Sequence, residues 1–491
     1  MYLGLDCGTS GLKALLTDEG GEPIASAART YSPTRPRAGW SEQNPDDWAT
    51  AMAGAIADLE NNAGKGLSGL KAIGFSGQMH GAVLLDRADR PIRPAILHND
   101  GRAVCEADEL ARDYPHLAQI VGVKPMPGFT GPKLKWIARN EPDHRRLVNS
   151  LLSPKDYLRL KLSGERASDM SDAAGTWLLD EARRDWSWQA FDACDADPAW
   201  APPLFEGSAP AGQIRAEAAD ALGLPRGVLL AAGGGDAAVG AVGLGAIAPG
   251  EAFISLGTAT QLIVATDQFM SAPEKLVHAF AHALPNRWYA MAAMLNGAGA
   301  LAFAGRLLGA SPDALECEAA ADYPGPGALL FLPYLSGERT PLCDPYARGV
   351  LFGLSEASSR ADVARAVMEG VALTLADARD CLAEAGARIE RVGLIGGGAK
   401  SLLWTRMIAA ATGFTVVRMK GGETGPAYGA ARLARIAATG EPPEAVCLPP
   451  QIADVTEPDP KLADLFSRQR KRFTALYPAV RSEFRHQTPS D

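Results

Sequence analysis

Short apolar blocks that stop at glycine-rich turns recur along the chain, and small residues follow each turn. The sharpest case is Val228-Leu229-Leu230-Ala231-Ala232, which runs into Gly233-Gly234-Gly235-Asp236 and then into Ala237, Ala238, Val239, Gly240, Ala241, Val242 and Gly243. This pattern predicts a buried strand, a tight turn and a helix packed closely on a neighbour. It recurs at Val392 to Ile395, where Gly396-Gly397-Gly398-Ala399-Lys400-Ser401 precedes a helix starting near Leu402. A third copy joins strand Thr415 to Arg418, through a turn over residues 421–426, to a helix from Ala427 to Ala438.

The chain opens as a meander of three strands, Tyr2 to Leu5, Leu12 to Leu16 and Ile24 to Ala27. Asn44-Pro45-Asp46-Asp47 then starts a helix with a cap residue, a proline at the first position and two acids. Trp48, Met52, Ile56 and Leu59 share one face of it. Strands follow at Ala72 to Phe75 and Ala82 to Leu85, and Ala95-Ile96-Leu97 leads into the polar cluster His98-Asn99-Asp100-Gly101-Arg102. That cluster lies at a strand end, where open α/β sheets bind ligands. Residues 103–225 read as mostly helical with proline breaks, including a helix leaving Asp156 through Tyr157 to Leu162. Ser168 to Asp172 is a polar loop that either lines a cleft or caps a helix. Beyond Asp236, a helix is expected near Asn296 to Leu308, and a polar, proline-stopped loop spans Tyr334 to Pro341. The longest helical pattern runs from Ala361 to Ala385, with Val363, Val367, Val371, Leu375 and Ala378 on its apolar face. A C-terminal helix is expected around Leu462 to Tyr477, with the basic run Arg468 to Arg472 as a solvated face.

An offset of 249 residues carries Gly8 onto Gly257, Thr9 onto Thr258, Thr17 onto Thr266 and Asp18 onto Asp267. With matching strand patterns on both sides, the repeat points to an internal duplication. Ser255 replaces Asp6 in the second copy. At 491 residues the chain exceeds one ordinary core, so two domains are expected, over residues 1–245 and 246–491.

Composition narrows the class further. Hydrophobic residues at 47% and charged residues at 21% are ordinary for a globular protein, and a net charge of −9 argues against general nucleic-acid or anionic-membrane binding. No apolar run reaches membrane-spanning length, and the N-terminus reads as a first strand rather than a targeting segment. Seven scattered cysteines without a C-x-x-C pair predict reduced thiols and a cytoplasmic protein. His278 and His282 have the spacing of a helical metal pair, but the alternation around them is strand-like and no third ligand is evident.

Asp236 is the first candidate for chemistry. A carboxylate at that turn can accept a proton from a substrate hydroxyl, and a helix N-terminus favours its charged form; alternatively it caps the helix. The turn Asp6-Cys7-Gly8-Thr9-Ser10-Gly11 suits an anion, with Lys13 in reach of a phosphate, or is a simple hairpin. Ser76-Gly77-Gln78-Met79-His80-Gly81 offers His80 as a hydrogen-bonding group and Met79 as an apolar wall, the alternative for His80 being a structural role. A P-loop is absent and no G-x-G-x-x-G follows the first strand, so Rossmann-type dinucleotide binding is disfavoured.

Taken in order, Asp6-Cys7-Gly8-Thr9-Ser10, Gly77-Gln78-Met79-His80-Gly81, Gly234-Gly235-Asp236, Ser255-Leu256-Gly257-Thr258 and Gly396-Gly397-Gly398-Ala399 resemble the FGGY carbohydrate kinases, from residue 1 to about 480. Trp40-Ser41-Glu42-Gln43, Met126 to Thr130 and Ser168 to Thr176 add to the likeness, and the Gly-Gln-Met-His-Gly stretch is most similar to the bacterial xylulokinase branch.

The resemblance implies an α/β fold of two ribonuclease H-like, actin-like domains with a central cleft, and transfer of phosphate from ATP to D-xylulose. It implies Asp236 as catalytic base and Asp6 as holder of magnesium. Gly8, Thr9, Ser10 and Lys13 would lie near the transferring phosphate, with Gly257 and Thr258 on its other side. Gly397, Gly398 and Ala399 would meet the adenosine, and Met79, His80 and Asp236 the sugar. A homodimer is allowed for, because family members often form one. Two positions depart from the pattern: Ala237 stands where the family usually has Asn, and His98 where xylulokinases commonly have Trp. They leave room for another ketopentose or pentitol as substrate. From a different class, an actin-like switch ATPase would share the fold but needs no polyol pocket.

Overall fold

The computed structural model describes residues 1–62, 67–420 and 425–484. Two seven-stranded sheets dominate it. In the first, β1 (Tyr2–Cys7), β2 (Gly11–Thr17) and β3 (Pro23–Thr30) form the expected antiparallel meander, each strand longer than its apolar block. On the other side of β1, β4 (Ala72–Gly77) pairs in parallel. The antiparallel edge strand β5 (Pro210–Gln213) pairs with β6 (Leu229–Ala231), itself parallel to β4. The two-residue β7 (Gly234–Gly235) extends the pairing on β4.

The second sheet comprises β8 (Ala252–Leu256), β9 (Thr260–Thr266), β10 (Val277–Ala281), β11 (Trp288–Met294), β12 (Arg391–Ile395), β13 (Thr415–Met419) and β14 (Ile452–Thr456). Its order β11-β9-β8-β12-β13-β14 repeats the first sheet's β3-β2-β1-β4-β6-β5, with the same parallel and antiparallel pairings throughout. β9 is β2 shifted by 249 residues, as the sequence repeat predicts. β10 is an addition at the far edge.

Helix α1 (Pro45–Asn62) buries Trp48, Met52, Ile56 and Leu59 against β2 and β3. The Asn44 side chain accepts the Asp46 N–H at 3.2 Å, as a cap residue should. The helix through Tyr157 starts earlier than expected: α2 (Pro154–Ser163) opens on Pro154, a residue suited to a first helical turn rather than a break. Ser168 to Asp172 takes the capping alternative, because Asp169 accepts the N–H groups of Ser171 and Asp172 at the start of α3 (Met170–Ala174). Ala95–Ile96 belongs to neither main sheet. It pairs with Glu42–Gln43 in a two-stranded ribbon, since a short apolar run does not specify its partner.

The small residues after the glycine turns have a clear physical use. Helix α4 (Asp236–Leu244) crosses α7 (Pro426–Thr439), although the two lie far apart in sequence; α5 (Arg360–Glu384) and α6 (Leu402–Thr412) intervene. A Cβ on Gly429 would sit 1.9 Å from the Val239 carbonyl oxygen. Helix α7 also lies on the first sheet, where Cβ atoms on Gly4 and Gly74 would come within 1.9 Å of the Ala427 and Ala430 oxygens. These glycines let backbone meet backbone along the seam between the two halves.

The C-terminal helix α8 (Pro460–Phe484) reads through Pro478 and matches α5 in length, 25 residues each. Its basic run is only partly solvated. Arg468 pairs with Asp464 on the surface, but Arg470 bonds Asp377 and Asp380 of α5, each at 2.6 Å, and Gln469 is buried. Residues 421–424 of the third glycine turn lie outside the described residues. No helix among the described residues is long and apolar enough to cross a membrane.

Candidate active site

Three polar side chains hold the β1–β2 turn in shape. The Gly8 carbonyl accepts the Tyr31 hydroxyl at 2.7 Å and the Gln78 amide at 3.4 Å, and the Thr9 carbonyl accepts the Gln43 amide at 2.7 Å. Gln43 is itself fixed by the Trp48 indole at 3.0 Å. From the sequence, Trp40 to Gln43 carries only a resemblance; in the fold its Gln43 braces this turn.

Lys13 stands directly across the β1–β2 pair from Asp6. Burial pushes the Asp6 carboxyl up to about 6, against the pull of the Ser76 hydroxyl and the Lys13 ammonium, and its Oδ1 is buried without a hydrogen-bond partner. In the second half, Gly257 and Thr258 form the matching turn between β8 and β9. Ala298 donates its N–H to the Gly257 carbonyl at 2.7 Å, setting the first turn of a helix (Ala298–Leu308) beside it. Gly397 and Gly398 lie in a 3₁₀ turn (Gly397–Lys400), where a Cβ on Gly398 would meet the Leu256 side chain at 2.5 Å. Gly397 is exposed, Ala399 half-buried. Asp6 and the first glycine–threonine turn thus sit at the end of β1 in the first sheet, and the second turn and the 3₁₀ turn follow β8 and β12, which pair in the second sheet.

Asp236 is the first residue of α4, and Gly235 occupies the cap position, so capping is not its main task. Its Oδ1 accepts the neighbouring Ala237 N–H at 2.8 Å. The helix start does favour the charged form through the backbone N–H groups of Asp236 and Ala237, but burial outweighs it. Burial, reinforced by the Asp6 carboxylate, pushes its pKa up to about 7 against that backbone hydrogen bond.

Met79, His80 and Asp236 line one cavity of about 130 Å³. Glycines make the meeting of the two motifs feasible: a Cβ on Gly235 would strike Met79 Cγ at 2.7 Å, and one on Gly175 would strike Met79 Cε at 2.7 Å and His80 Nδ1 at 2.8 Å. His80 adopts a φ of 70°, a left-handed conformation uncommon for a non-glycine residue. It is held there by Lys133 Nζ and Thr130 Oγ1, which donate to its carbonyl at 2.8 and 3.1 Å. His80 Nδ1 lies 2.5 Å from the Gly175 carbonyl, which only accepts, so Nδ1 carries the proton and Nε2 keeps a lone pair. Burial drives this imidazole well below its usual range, so it is a neutral acceptor.

The cavity wall also includes residues that sequence reading did not assign. Gln261, His278 and Arg339 come from the second half, and Phe129 packs edge-on against His80 at 4.6 Å. His278 had drawn notice only as half of a metal pair, and Arg339 only as part of a polar loop. His98 and Ala237, the two departures from the family pattern, both line the cavity. Asp100 and Arg102 of the same cluster engage other partners: Asp100 bonds Arg102 and the Ser41 N–H, and Arg102 stacks on Trp40 at 3.6 Å.

Behind Asp236 lies a buried ionic network. Lys155 pairs with Asp156 and, at 2.8 Å, with Asp169; Asp169 accepts the Ser171 hydroxyl at 2.6 Å. Burial raises Asp172, which the Ser153 hydroxyl meets at 2.5 Å.

A duplicated sheet with a glycine–threonine turn in each half, and a cavity whose lining draws on both halves and holds one carboxylate, is the architecture of the actin-like and sugar-kinase-like proteins. The sequence matches the FGGY family of carbohydrate kinases, N-terminal domain, over residues 1–243, and the C-terminal domain of the same family over residues 252–438. The chain belongs to the FGGY family and is a carbohydrate kinase.

Among similar proteins, the xylulose kinase of Escherichia coli (strain K12) is 44% identical over 480 residues, spanning 97% of this chain and 98% of that protein. The xylulose kinase of Klebsiella pneumoniae is likewise 44% identical, over 97% of this chain and 98% of that one. A crystal structure of a "xyloylose kinase" from Brucella ovis superposes with a TM-score of 0.95 at 45% identity, covering 98% of this chain and 99% of that one.

Proposed function

We propose that this kinase transfers the γ-phosphoryl group of ATP to the primary hydroxyl of D-xylulose, giving D-xylulose 5-phosphate and ADP. The observation that carries the reading is Asp236. It stands at a helix start in the wall of the cavity beside Met79 and His80, with a pKa near neutrality. A base poised there takes the hydroxyl proton as the oxygen forms its bond to phosphorus and the bond to the ADP oxygen breaks. His80 accepts a sugar hydroxyl through Nε2, and Met79 packs on the carbon chain.

In this reading the two lobes are residues 1–245 and 246–491, and the nucleotide lies between their glycine–threonine turns. Gly8, Thr9, Ser10 and Lys13 approach the transferring group from one side, Gly257 and Thr258 from the other, and Gly397, Gly398 and Ala399 meet the adenosine. A divalent cation, magnesium by the family's usual choice, neutralises phosphate charge when bound. Asp6 fits as its holder, because its buried Oδ1 lacks any protein partner. Lobe closure then excludes water that would otherwise compete as acceptor.

Ala237 and His98 in the cavity wall favour a second reading, another ketopentose or a pentitol. The test is ADP formation by the purified protein with magnesium and ATP, across pentuloses, pentitols, glycerol and no sugar. Strong dependence on D-xylulose is the expected result. Preference for another polyol moves the substrate, and sugar-independent hydrolysis across the panel overturns the kinase reading in favour of a switch ATPase.

A further inference from the structure

We propose that Arg339 and His278, both from the second lobe, form a recognition site for the carbonyl end of the sugar, so that the enzyme selects a ketopentose over the pentitol with the same carbon chain. The proposal rests on the sugar-kinase reading above and adds the part of the cavity that reads the end remote from the phosphorylated hydroxyl.

The loop carrying Arg339 is fixed to the second sheet. Thr340 donates its N–H to the Ala293 carbonyl at 3.2 Å and its hydroxyl to the Leu276 carbonyl at 2.8 Å. Glu338, the acid nearest in sequence, is turned elsewhere: it accepts the Leu295 N–H at 2.7 Å, the Arg339 N–H at 2.8 Å and the Asn296 amide. Among the described residues, no carboxylate lies within ion-pair distance of the Arg339 guanidinium, which lines the cavity. On the adjoining strands, His278 pairs with Met291, and Ala293 follows two residues along on the same face. His278 is 4% exposed, and its Nδ1 has no hydrogen-bond partner. His278 is therefore buried and unsatisfied at Nδ1, and Arg339, an exposed residue, lines the same cavity as Asp236 with no carboxylate paired to it among the described residues.

Burial depresses both the His98 and His278 imidazoles, with Lys133 and then Arg339 adding to the effect at His98 and Arg339 at His278. A guanidinium only donates hydrogen bonds, and a carbonyl oxygen only accepts them. A neutral imidazole can accept the hydroxyl next to that carbonyl. An α-hydroxyketone satisfies both groups at once, and in D-xylulose it lies at the other end of the chain from the hydroxyl that takes the phosphate. Reduction of the ketone to an alcohol leaves an extra O–H hydrogen to be placed beside a cation.

The test is kcat/KM for D-xylulose and for xylitol, at saturating ATP, in the wild type and in Arg339→Gln and Arg339→Lys. The wild type is expected to prefer D-xylulose. Losing one charge-assisted hydrogen bond should lower the ketose-to-pentitol ratio about tenfold in Arg339→Gln, mainly through KM, with partial recovery in Arg339→Lys. If Arg339→Gln does not purify as a folded protein, the same ratio in Arg339→Lys and His278→Phe decides. An unchanged ratio, or a wild type that prefers xylitol, overturns the proposal. A wild type that phosphorylates neither sugar overturns the substrate reading and this proposal with it. D-Xylulose turnover with an unchanged ratio in the variants overturns this proposal alone.

Discussion

The Ser171 hydroxyl accepts the backbone N–H of Gly235 at 3.1 Å, one residue ahead of Asp236. The same hydroxyl donates to Asp169, which is paired to the buried Lys155. An ionic network built by the 154–174 segment thus reaches across the fold and fixes the turn that aims the proposed base. Ser171→Ala leaves that buried N–H without an acceptor, which costs about 1–3 kcal/mol. The melting temperature should fall and kcat should drop, while the KM for ATP stays near the wild-type value. Calorimetry alongside steady-state kinetics checks this; an unchanged kcat would limit Ser171 to a purely stabilising role.

Asp236→Ala removes the proposed base but none of the proposed nucleotide contacts. Turnover should fall by roughly 10² to 10⁴, the usual range for a positioned acid or base, with ATP binding retained. Titration of ATP into the variant, together with ADP release rates, separates the two. Near-normal turnover removes Asp236 from the mechanism.

The His80 ring should be neutral with its proton on Nδ1, because the Gly175 carbonyl fixes the tautomer and burial disfavours the imidazolium. Nitrogen-15 NMR of the imidazole should show that tautomer persisting below pH 6. An ordinary titration near 6.5 would contradict the geometry.

Gly74→Ala places a methyl group where the Ala430 oxygen of α7 now lies, 1.9 Å from the ideal Cβ. The helix must retreat from the first sheet, at a cost of about 1–3 kcal/mol or more. Thermal unfolding should show the loss, whereas Gly397→Ala, with nothing within 4 Å of its Cβ, should unfold near the wild-type temperature.

Glu369 is buried in α5, where it accepts the Tyr323 hydroxyl at 3.1 Å, and burial pushes its pKa up to about 7 from an ordinary 4.5. The raised value means that the folded protein binds this proton more tightly than the unfolded chain. The associated stability is fully present below pH 4.5 and is lost as the pH rises through 7, on the order of 3 kcal/mol in all. Glu369→Gln, which cannot ionise, should gain stability relative to wild type between pH 5 and pH 8 in urea unfolding. Parallel curves for the two proteins would show that Glu369 does not titrate in that window.

Much of the fold could be read in one dimension because its signals are local. Strand–glycine–helix units at Val228, Val392 and Thr415 depend on apolar runs and on the glycines that end them, and the strand and helix of each form where the pattern places them. Misreadings came where a local signal lacked its partner. Ala95–Ile96 looked like a sheet strand until Glu42–Gln43 proved to be its neighbour, and Arg470 looked solvated until Asp377 and Asp380 met it.

By itself the sequence determined the repeated strand–turn device, the candidate carboxylates Asp6 and Asp236, and the Met79–His80 loop, because each is a short motif whose chemistry lies in adjacent residues. Tertiary structure alone decided how these groups behave. It buried Asp236 near Asp6 and so raised its pKa, set the His80 tautomer through Gly175, and brought His278 and Arg339 from the second lobe into the same cavity. Burial, proton position and the far wall of a cleft depend on contacts between residues hundreds of positions apart, and hydrophobic periodicity does not encode which distant faces will meet.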